Sequence, residues 1–502
     1  MNAMMVPNFL LKRASLTPNR VAIEMDQEKL TFAQLNERSI DIASRLSANG
    51  VRAGDAISVF MKNSMDMVIL LFALKHIGAI TVLHNLRLTP NELGFQLKNS
   101  RSKLLVTDVE KVNPLLEFLE LEEGRIISID ALSQMEACPF TLVEEFQLDL
   151  VDTIMYTSGT TGHPKGVKQT YGNHFWSASG SALNLGIYEK DAWLAAVPLF
   201  HISGLSILMR GVIYGMRVVL HEKFDAEHVN EDIMSKGVTI VSVVSTMLQQ
   251  LLEELGERTY PATFRCMLAG GGPIPFPMLK ECEKKGIPVF QTYGMTETCS
   301  QIVTLSPEAA LLKIGSAGKA LFSCQAKIMV GNKEAKPGEA GEILVKGPNV
   351  TPGYFHNEEA TQRAIQNGWL HTGDIGYLDE DGFLFVLDRR SDLIISGGEN
   401  VYPAEIEAVL MAHPSVKDAG VGAMEDDRWG QVPVAFVVLN DQDVSESEIM
   451  DFASQRLAKY KVPKRMVKVL ELPRNASNKL VRRKLMEYMP NSEQGRGSGH
   501  ED

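Results

Sequence analysis

Strand-like apolar runs alternate with amphipathic helical patterns over residues 20–111 and again over 149–306, and this alternation restricts the fold more than any other feature of the chain. Thr31-Phe-Ala-Gln-Leu opens with a helix N-cap and a Gln three residues on, and Leu35, Ile40, Ala43 and Leu46 follow at helical spacing. Asp55-Ala-Ile-Ser-Val-Phe-Met after Gly54 predicts a buried strand, and 65–76 a helix packed beside it. Further strands are expected at Thr153-Ile-Met-Tyr, Trp193-Leu-Ala-Ala-Val, Arg217-Val-Val-Leu and Thr239-Ile-Val-Ser-Val-Val. Such a rhythm argues for an α/β layer architecture with largely parallel sheets. Between 312 and 387 the strands shorten and Gly, Pro, Asn and Asp separate them, as in a small antiparallel β-barrel subdomain. From 388 a new pattern begins: helix at 403–412, strands at 418–421 and 432–439, helix at 446–458. Its ~100 residues suffice for a small α+β domain. The expected division is a large domain over 1–387, a small C-terminal domain over 393–490, and a disordered Gly/Ser/charge tail over 491–502.

Charge and composition exclude several classes. Of 502 residues, 50 are Lys or Arg and 62 Asp or Glu, so the net charge is 50 − 62 = −12. That balance leaves no general footprint for a nucleic-acid backbone, though a local site for a small anion stays open. The longest clean apolar run, 67–74, is far short of the ~20 residues that span a bilayer. Residues 1–13 show no charged segment leading into a long apolar one, so no secretory signal is expected. Cys138, Cys266, Cys282, Cys299 and Cys324 lack Cys-x-x-Cys spacing, which argues against a disulfide framework or a zinc site. The expectation is a cytoplasmic, multi-domain protein without integral membrane association; a homo-oligomer is left open.

The chemistry concentrates first in Tyr156-Thr-Ser-Gly-Thr-Thr-Gly-His-Pro-Lys-Gly166, directly after an apolar strand. Gly159 and Gly162 let the backbone curl so that N–H groups converge on an anion; Thr157, Ser158, Thr160 and Thr161 donate hydroxyls, and Lys165 supplies charge. A plain Ser/Thr/Gly surface turn is the bland alternative. The segment is not the loop of P-loop NTPases, which needs Gly-Lys followed by Ser or Thr where this chain has Pro164-Lys165-Gly166.

Ser-Gly-Thr-Thr-Gly-x-Pro-Lys-Gly resembles the signature of the adenylate-forming superfamily of acyl-CoA synthetases, firefly-type luciferases and peptide-synthetase adenylation domains. The resemblance extends in order through Pro198-Leu-Phe-His-Ile-Ser-Gly204, Ala269-Gly-Gly-Gly-Pro-Ile-Pro275, Gln291-Thr-Tyr-Gly-Met-Thr-Glu-Thr298, His371-Thr-Gly-Asp-Ile-Gly376, the stretch 388–403 and Leu472-Pro-Arg-Asn-Ala-Ser-Asn-Lys479. It implies that the loop handles the β and γ phosphates of ATP, that His201 lies beside the carboxylate pocket, and that Gly270, Gly271 and Gly272 flank adenine and acyl group. Tyr293 is then placed to stack on adenine, Thr296 to meet the α-phosphate and Glu297 to ligate Mg²⁺. Asp374 and Arg389 are implied to bind ribose, and Lys479 to be the catalytic lysine. A hinge is implied at 388–392, although the pivot position holds Ser391 where Asp or Lys is usual. Ser396, Gly397 and Gly398 belong to the turn implied to enter the thioester-forming site, and Trp429 to a position lining the coenzyme A tunnel.

Within the superfamily, Gln169-Thr-Tyr-Gly-Asn-His-Phe, Ala182-Leu-Asn-Leu-Gly and Thr298-Cys-Ser-Gln-Ile-Val-Thr-Leu-Ser-Pro307 are similar to the o-succinylbenzoate–CoA ligases of bacterial menaquinone synthesis. The polar residues Ser300, Gln301 and Thr304 suit a substrate with a second carboxylate, which needs partners when buried. Solvent-facing or helix-capping roles are the alternative for those three. Competing readings are a ligase for another aryl or medium-chain acid, a carrier-loading adenylation domain whose carrier acts in trans, and a non-catalytic nucleotide-binding regulator.

Overall fold

The structure, a computed structural model, describes residues 4–108, 126–157, 164–271, 274, 276–388, 394–401, 403–440, 444–473, 480 and 482–489. The expected disordered tail, the pivot Ser391, Arg389, Lys479, Gly272 and the loop residues Ser158, Gly159, Thr160, Thr161 and Gly162 lie outside the described residues. Two compact units emerge: Met1–Leu86, Phe95–Thr157 and Gly166–Leu387 make the first, and Arg87–Gly94, Ser158–Lys165 and Asp388–Asp502 the second.

In the first unit a six-stranded sheet runs in the order Lys165–Thr170, Val151–Thr157, Ile80–Leu83, Ala56–Phe60, Leu104–Thr107, Ile126–Ser128. The four ladders from Val151–Thr157 to Ile126–Ser128 are parallel, as the strand–helix alternation requires. The helix Phe32–Ala48 starts at the expected capping box, with Thr31 Oγ1 accepting from Gln34 N–H at 3.2 Å and Gln34 Oε1 accepting from Thr31 N–H at 2.9 Å. The helix Met65–Ile77 is apolar nearly all round and accordingly buried on every side but one, capped by Ser64 and closed by Gly78 at φ 78°.

A second, larger ladder places Arg217–Leu220, Ala192–Ala195, Ile240–Val244, Cys266–Gly270 and Val289–Met295 in parallel register. It turns antiparallel at Ser300–Leu305 and continues through Ser316–Ala320, Leu384–Asp388, Trp369–Leu378, Gly341–Lys346 and Gln325–Val330. The short strands expected between 312 and 387 are these antiparallel members. The change from parallel to antiparallel at 295–300 is what creates the site described below. Among the described residues no helix is long and apolar enough to cross a membrane.

The second unit is a five-stranded sheet of Glu399–Val401, Ile394–Ser396, Gly430–Leu439, Val416–Asp426 and Arg465–Lys468, packed with the helices Pro403–Met411 and Glu446–Ser454. The strand expected at 418–421 is longer, Val416–Asp426, because Gly422 to Asp426 pair residue by residue with Val434 to Gly430 although their sequence shows no alternation. The helix expected to reach 458 stops at Ser454, where Gln455 caps it.

Candidate active site

The reversal between Val289–Met295 and Ser300–Leu305 is unusually tight. A single 3-10 turn, Thr296–Thr298, is followed by Cys299 at φ 50° and Ser300 at φ 95°, two consecutive non-glycine residues with positive φ. Gly294 permits it: a Cβ there would lie 2.1 Å from the Ser300 carbonyl oxygen. The turn's carbonyls are taken up one by one. Gln169 Nε2–H donates to Thr296 O at 3.1 Å, Thr351 N–H to Glu297 O at 2.7 Å, Asn349 Nδ2–H to Thr298 O at 2.8 Å and Ser177 Oγ–H to Cys299 O at 2.5 Å. Gln169 stands four residues past Lys165, so the strand that leaves the Gly/Ser/Thr loop also holds the carbonyl of Thr296. Glu297 is half-buried, and its Oε1 accepts from the Tyr354 hydroxyl at 3.0 Å.

Around this turn the other expected residues gather. Tyr293 and Asp374 are both buried and joined directly, the phenol donating to Asp374 Oδ2 at 2.7 Å. Gly270 ends the strand Cys266–Gly270, and a Cβ there would stand 3.3 Å from Thr292 Cγ2; Gly271 has φ 82°. Side chains are thus excluded where a flat ligand can lie on the backbone. His201 caps the helix Ile202–Tyr214 by position, without a side-chain capping bond.

Of the three polar residues after the turn, Ser300 differs from the others. Gln301 and Thr304 are buried and bonded to protein: Gln301 Nε2–H donates to Ser181 Oγ at 2.6 Å, and Thr304 Oγ1–H to Gln301 Oε1 at 3.0 Å. Ser300 is half-buried, and its hydroxyl meets Arg210 Nη2 at 3.2 Å and Ser206 Oγ at 3.3 Å. Arg210 is only 1% exposed and lies over the Trp193 ring at 5.1 Å. No carboxylate among the described residues pairs with it, its Nε finds no acceptor, and burial lowers its affinity for the proton. A buried guanidinium in that condition is costly unless an anion joins it.

Behind the turn runs a fully buried polar column. Lys75 Nζ reaches both Asp152 oxygens at 2.6 and 2.5 Å; His174 Nε2 lies 3.2 Å from Asp152 Oδ2, and His174 Nδ1 lies 3.3 Å from Cys299 Sγ. Burial opposes ionisation of Asp152, yet Lys75 and His174 hold its carboxyl well below the usual carboxylate range. Burial pushes the Cys299 thiol up and the His174 imidazole down. A protonated thiol donating to Nδ1 leaves the ring proton on Nε2, which lies 3.2 Å from Asp152 Oδ2 without hydrogen-bond geometry.

In the second unit, Ser396 pairs with Gly430, and Gly397 N–H donates to Trp429 O at 2.8 Å. A Cβ at Gly397, φ 56°, would lie 2.6 Å from Trp429 Cε3, so the indole packs over the glycine turn while remaining 36% exposed. Asp426 Oδ1 accepts from the N–H groups of Arg428 and Trp429, both at 2.9 Å, and fixes that hairpin tip. The turn 396–399 and Trp429 therefore form one face.

The sequence profile described as "AMP-binding enzyme" matches residues 10–355, and that of the "AMP-binding enzyme C-terminal domain" matches residues 405–479. The chain belongs to the AMP-binding enzyme family. It is similar to the 2-succinylbenzoate–CoA ligase of Geobacillus kaustophilus, 56% identical over 490 residues, 97% of this chain and 99% of that one. Among solved structures it is similar to a double mutant of the o-succinylbenzoate CoA synthetase of Bacillus subtilis bound with the product analogue OSB-NCoA, at TM-score 0.92, 51% identity and coverage of 96% and 99%. The same B. subtilis enzyme in complex with ATP and magnesium matches at TM-score 0.76 and 51% identity, covering 96% of this chain and 100% of that one.

The donor set of this AMP-binding enzyme fits Mg²⁺. Among the described residues no group of three His, Cys, Asp or Glu side chains could hold a metal alone. One carboxylate, Glu297, completed by phosphate oxygens and water, is the donor set expected of a hard octahedral ion bound with a nucleotide.

Arg210, Tyr354, Asp152 and His174 were not evident from the motifs. For Arg210 a signal does exist: it is the one charge in the apolar helix Ile202–Tyr214. A lone charge inside an all-apolar helix calls for a partner, from the protein or from a ligand.

Proposed function

We propose that this AMP-binding enzyme joins 2-succinylbenzoate to coenzyme A in two steps, for menaquinone synthesis in the cytoplasm, with 2-succinylbenzoyl-CoA, AMP and pyrophosphate as products. The observation that carries the substrate is Arg210: a buried guanidinium without a carboxylate partner among the described residues, bonded to Ser300 three residues beyond Glu297. A dicarboxylic acid supplies what it lacks, one carboxylate reacting and the other pairing with Arg210 and Ser300. Gln301 and Thr304 bond to each other and to protein groups, which leaves Ser300 as the hydroxyl offered to the acid. The 56% identity to a 2-succinylbenzoate–CoA ligase supports the same reading.

In the first step a carboxylate oxygen attacks the α-phosphorus, the bond to pyrophosphate breaks, and an acyl-adenylate forms. The nucleophile is already an anion, so the protein needs no general base. Its task is orientation and relief of phosphate charge. Lys165 and the hydroxyls from Thr157 to Thr161 take the β and γ phosphates, Thr296 the α-phosphate, and Lys479 the charge that develops there. Tyr293 and Asp374, already joined, present a ring for adenine and a carboxylate for ribose, and Arg389 also serves the ribose. Mg²⁺ held by Glu297 neutralises phosphate charge when bound. In the second step the thiol sulfur attacks the acyl carbon, AMP departs with the electron pair, and the thiol proton leaves to solvent. Here the turn at Ser396, Gly397 and Gly398, with Trp429, serves coenzyme A, and residues 388–392 act as the hinge between the two steps.

The test is a ligation assay with ATP, Mg²⁺, coenzyme A and a panel of acids, reading AMP and thioester by mass spectrometry. Strong preference for 2-succinylbenzoate is expected. Preference for a monocarboxylic aryl or medium-chain acid would overturn the substrate and leave the reaction class standing.

A further inference from the structure

Cys299, His174 and Asp152 touch in the order that thiol hydrolases use for nucleophile, base and orienting acid. The chemistry does not follow. Cys299 is 1% exposed, so no substrate reaches its sulfur, and Asp152 is already bonded through both oxygens to Lys75. The column must therefore serve something other than nucleophilic attack.

Its position says what. The two positive φ values at Cys299 and Ser300 are conformations that side chains adopt only when their surroundings impose them. His174 and Ser177 lie three apart on the helix Tyr171–Leu185, hence on one face, and both grip Cys299: the imidazole its sulfur at 3.3 Å, the hydroxyl its carbonyl at 2.5 Å. On the far side of the ring Asp152, on the strand that leads into the Gly/Ser/Thr loop, lies 3.2 Å from Nε2 and is itself fixed through both oxygens by Lys75, on a buried helix. Two residues before Cys299 is Glu297; one after it is Ser300. If the left-handed turn relaxed, Glu297 would move relative to Tyr354 and Ser300 relative to Arg210 at the same time.

We propose that His174 is a positioning residue which, braced by Asp152 and Lys75, locks the Cys299–Ser300 turn and so sets both the acid-recognition geometry at Ser300 and the orientation of Glu297. The acid half of this inference rests on the function proposed above; the Glu297 half does not.

A double-mutant cycle on the full-length enzyme tests it. His174→Ala and Cys299→Ala are each expected to raise the KM for 2-succinylbenzoate in acid-dependent ATP–pyrophosphate exchange about tenfold, with the double variant no more than about threefold worse than either single one. The Mg²⁺ concentration that half-saturates ATP binding, read by calorimetry without any acid, should rise in parallel. His174→Asn, whose amide oxygen falls near Nδ1, should recover most of both values. Multiplying losses in the double variant, or a fall in kcat with KM and Mg²⁺ dependence unchanged, would overturn the proposal. Should the His174 variants not fold, Cys299→Gly decides: glycine accepts φ 50° without strain, so the fold is kept while the tether is lost, and an unchanged KM and Mg²⁺ dependence would sink the idea. If the wild-type enzyme gives no exchange with 2-succinylbenzoate, the substrate assignment falls instead, and the calorimetric arm alone decides the role of His174.

Discussion

Tyr354 donates its hydroxyl to Glu297 Oε1 across 3.0 Å, and its own strand position is fixed by a bridge to Val167, just past the Gly/Ser/Thr loop. The phenol therefore orients the one carboxylate assigned to Mg²⁺. Removing it leaves the carboxylate in place but takes away one of the bonds that orient it. Tyr354→Phe should raise the Mg²⁺ concentration for half-maximal pyrophosphate exchange roughly tenfold, the scale on which partners of metal ligands act. Titrating Mg²⁺ at saturating ATP checks this; an unchanged midpoint would leave Tyr354 with a packing role only.

Arg210 is the natural target for substrate specificity. Arg210→Met keeps the volume and the contact with Trp193 but removes the charge. The expected result is a loss of about 100-fold in kcat/KM for 2-succinylbenzoate, in line with truncating one side of a buried hydrogen-bonded charge pair. An analogue that lacks the second carboxylate should be affected far less, because it never used the guanidinium. Thermal stability should hold or rise, since an uncompensated buried cation disappears. Equal losses for both acids would mean that Arg210 shapes the pocket without reading the carboxylate.

Lys479, proposed above to meet the charge that develops at the α-phosphate, is expected to separate the two half-reactions. Lys479→Ala should reduce adenylate formation by at least about 100-fold, the scale set by loss of one charge-stabilising donor. Thioester formation from supplied 2-succinylbenzoyl-adenylate should stay within a few-fold of wild type. Stopped-flow or quenched assays of each half-reaction give the ratio, and matching losses in both would contradict the alternation.

The α/β layers were legible in the sequence because strand–helix alternation declares them. The proposed site residues came from local motifs, a loop rich in Gly, Ser and Thr, a glycine run and the Thr296-Glu297 pair, each readable within a few residues. What the sequence did not disclose depends on pairings across long separations. Tyr354 reaches Glu297 over 57 positions, Arg210 reaches Ser300 over 90, and Cys299 reaches His174 over 125. Nothing in a local window announces such partners. Gln301 and Thr304 illustrate the converse: polarity near a motif suggested ligand contact, whereas both side chains are buried against protein groups and only Ser300 carries the link to Arg210. The length of the hairpin at Val416–Asp426 escaped for a similar reason, its outer half being held by pairing and not by an apolar pattern.

Acid sensitivity offers a last test, because buried histidines titrate above the carboxylates. His76 and His84 are each pushed down to about 4 from 6.5, first by burial; His84 is bonded to Ser58 and Gln96, and His76 to Asn8. Both are neutral in the folded protein, while the unfolded chain binds protons near 6.5. A lowered folded value means that the stability is whole above about pH 6.5 and drains as the pH falls toward 4. By pH 4 each imidazole removes about 3 kcal/mol. Asp152, also lowered, contributes its loss only below the ordinary carboxylate value of about 4, so the two effects separate along the pH axis. The thermal midpoint of the wild-type protein should therefore decline between pH 6.5 and 4. In the double variant His76→Asn, His84→Gln the decline should flatten over that interval and persist below it. A decline of the same steepness in the variant would assign the acid sensitivity to other groups, the buried His174 among them.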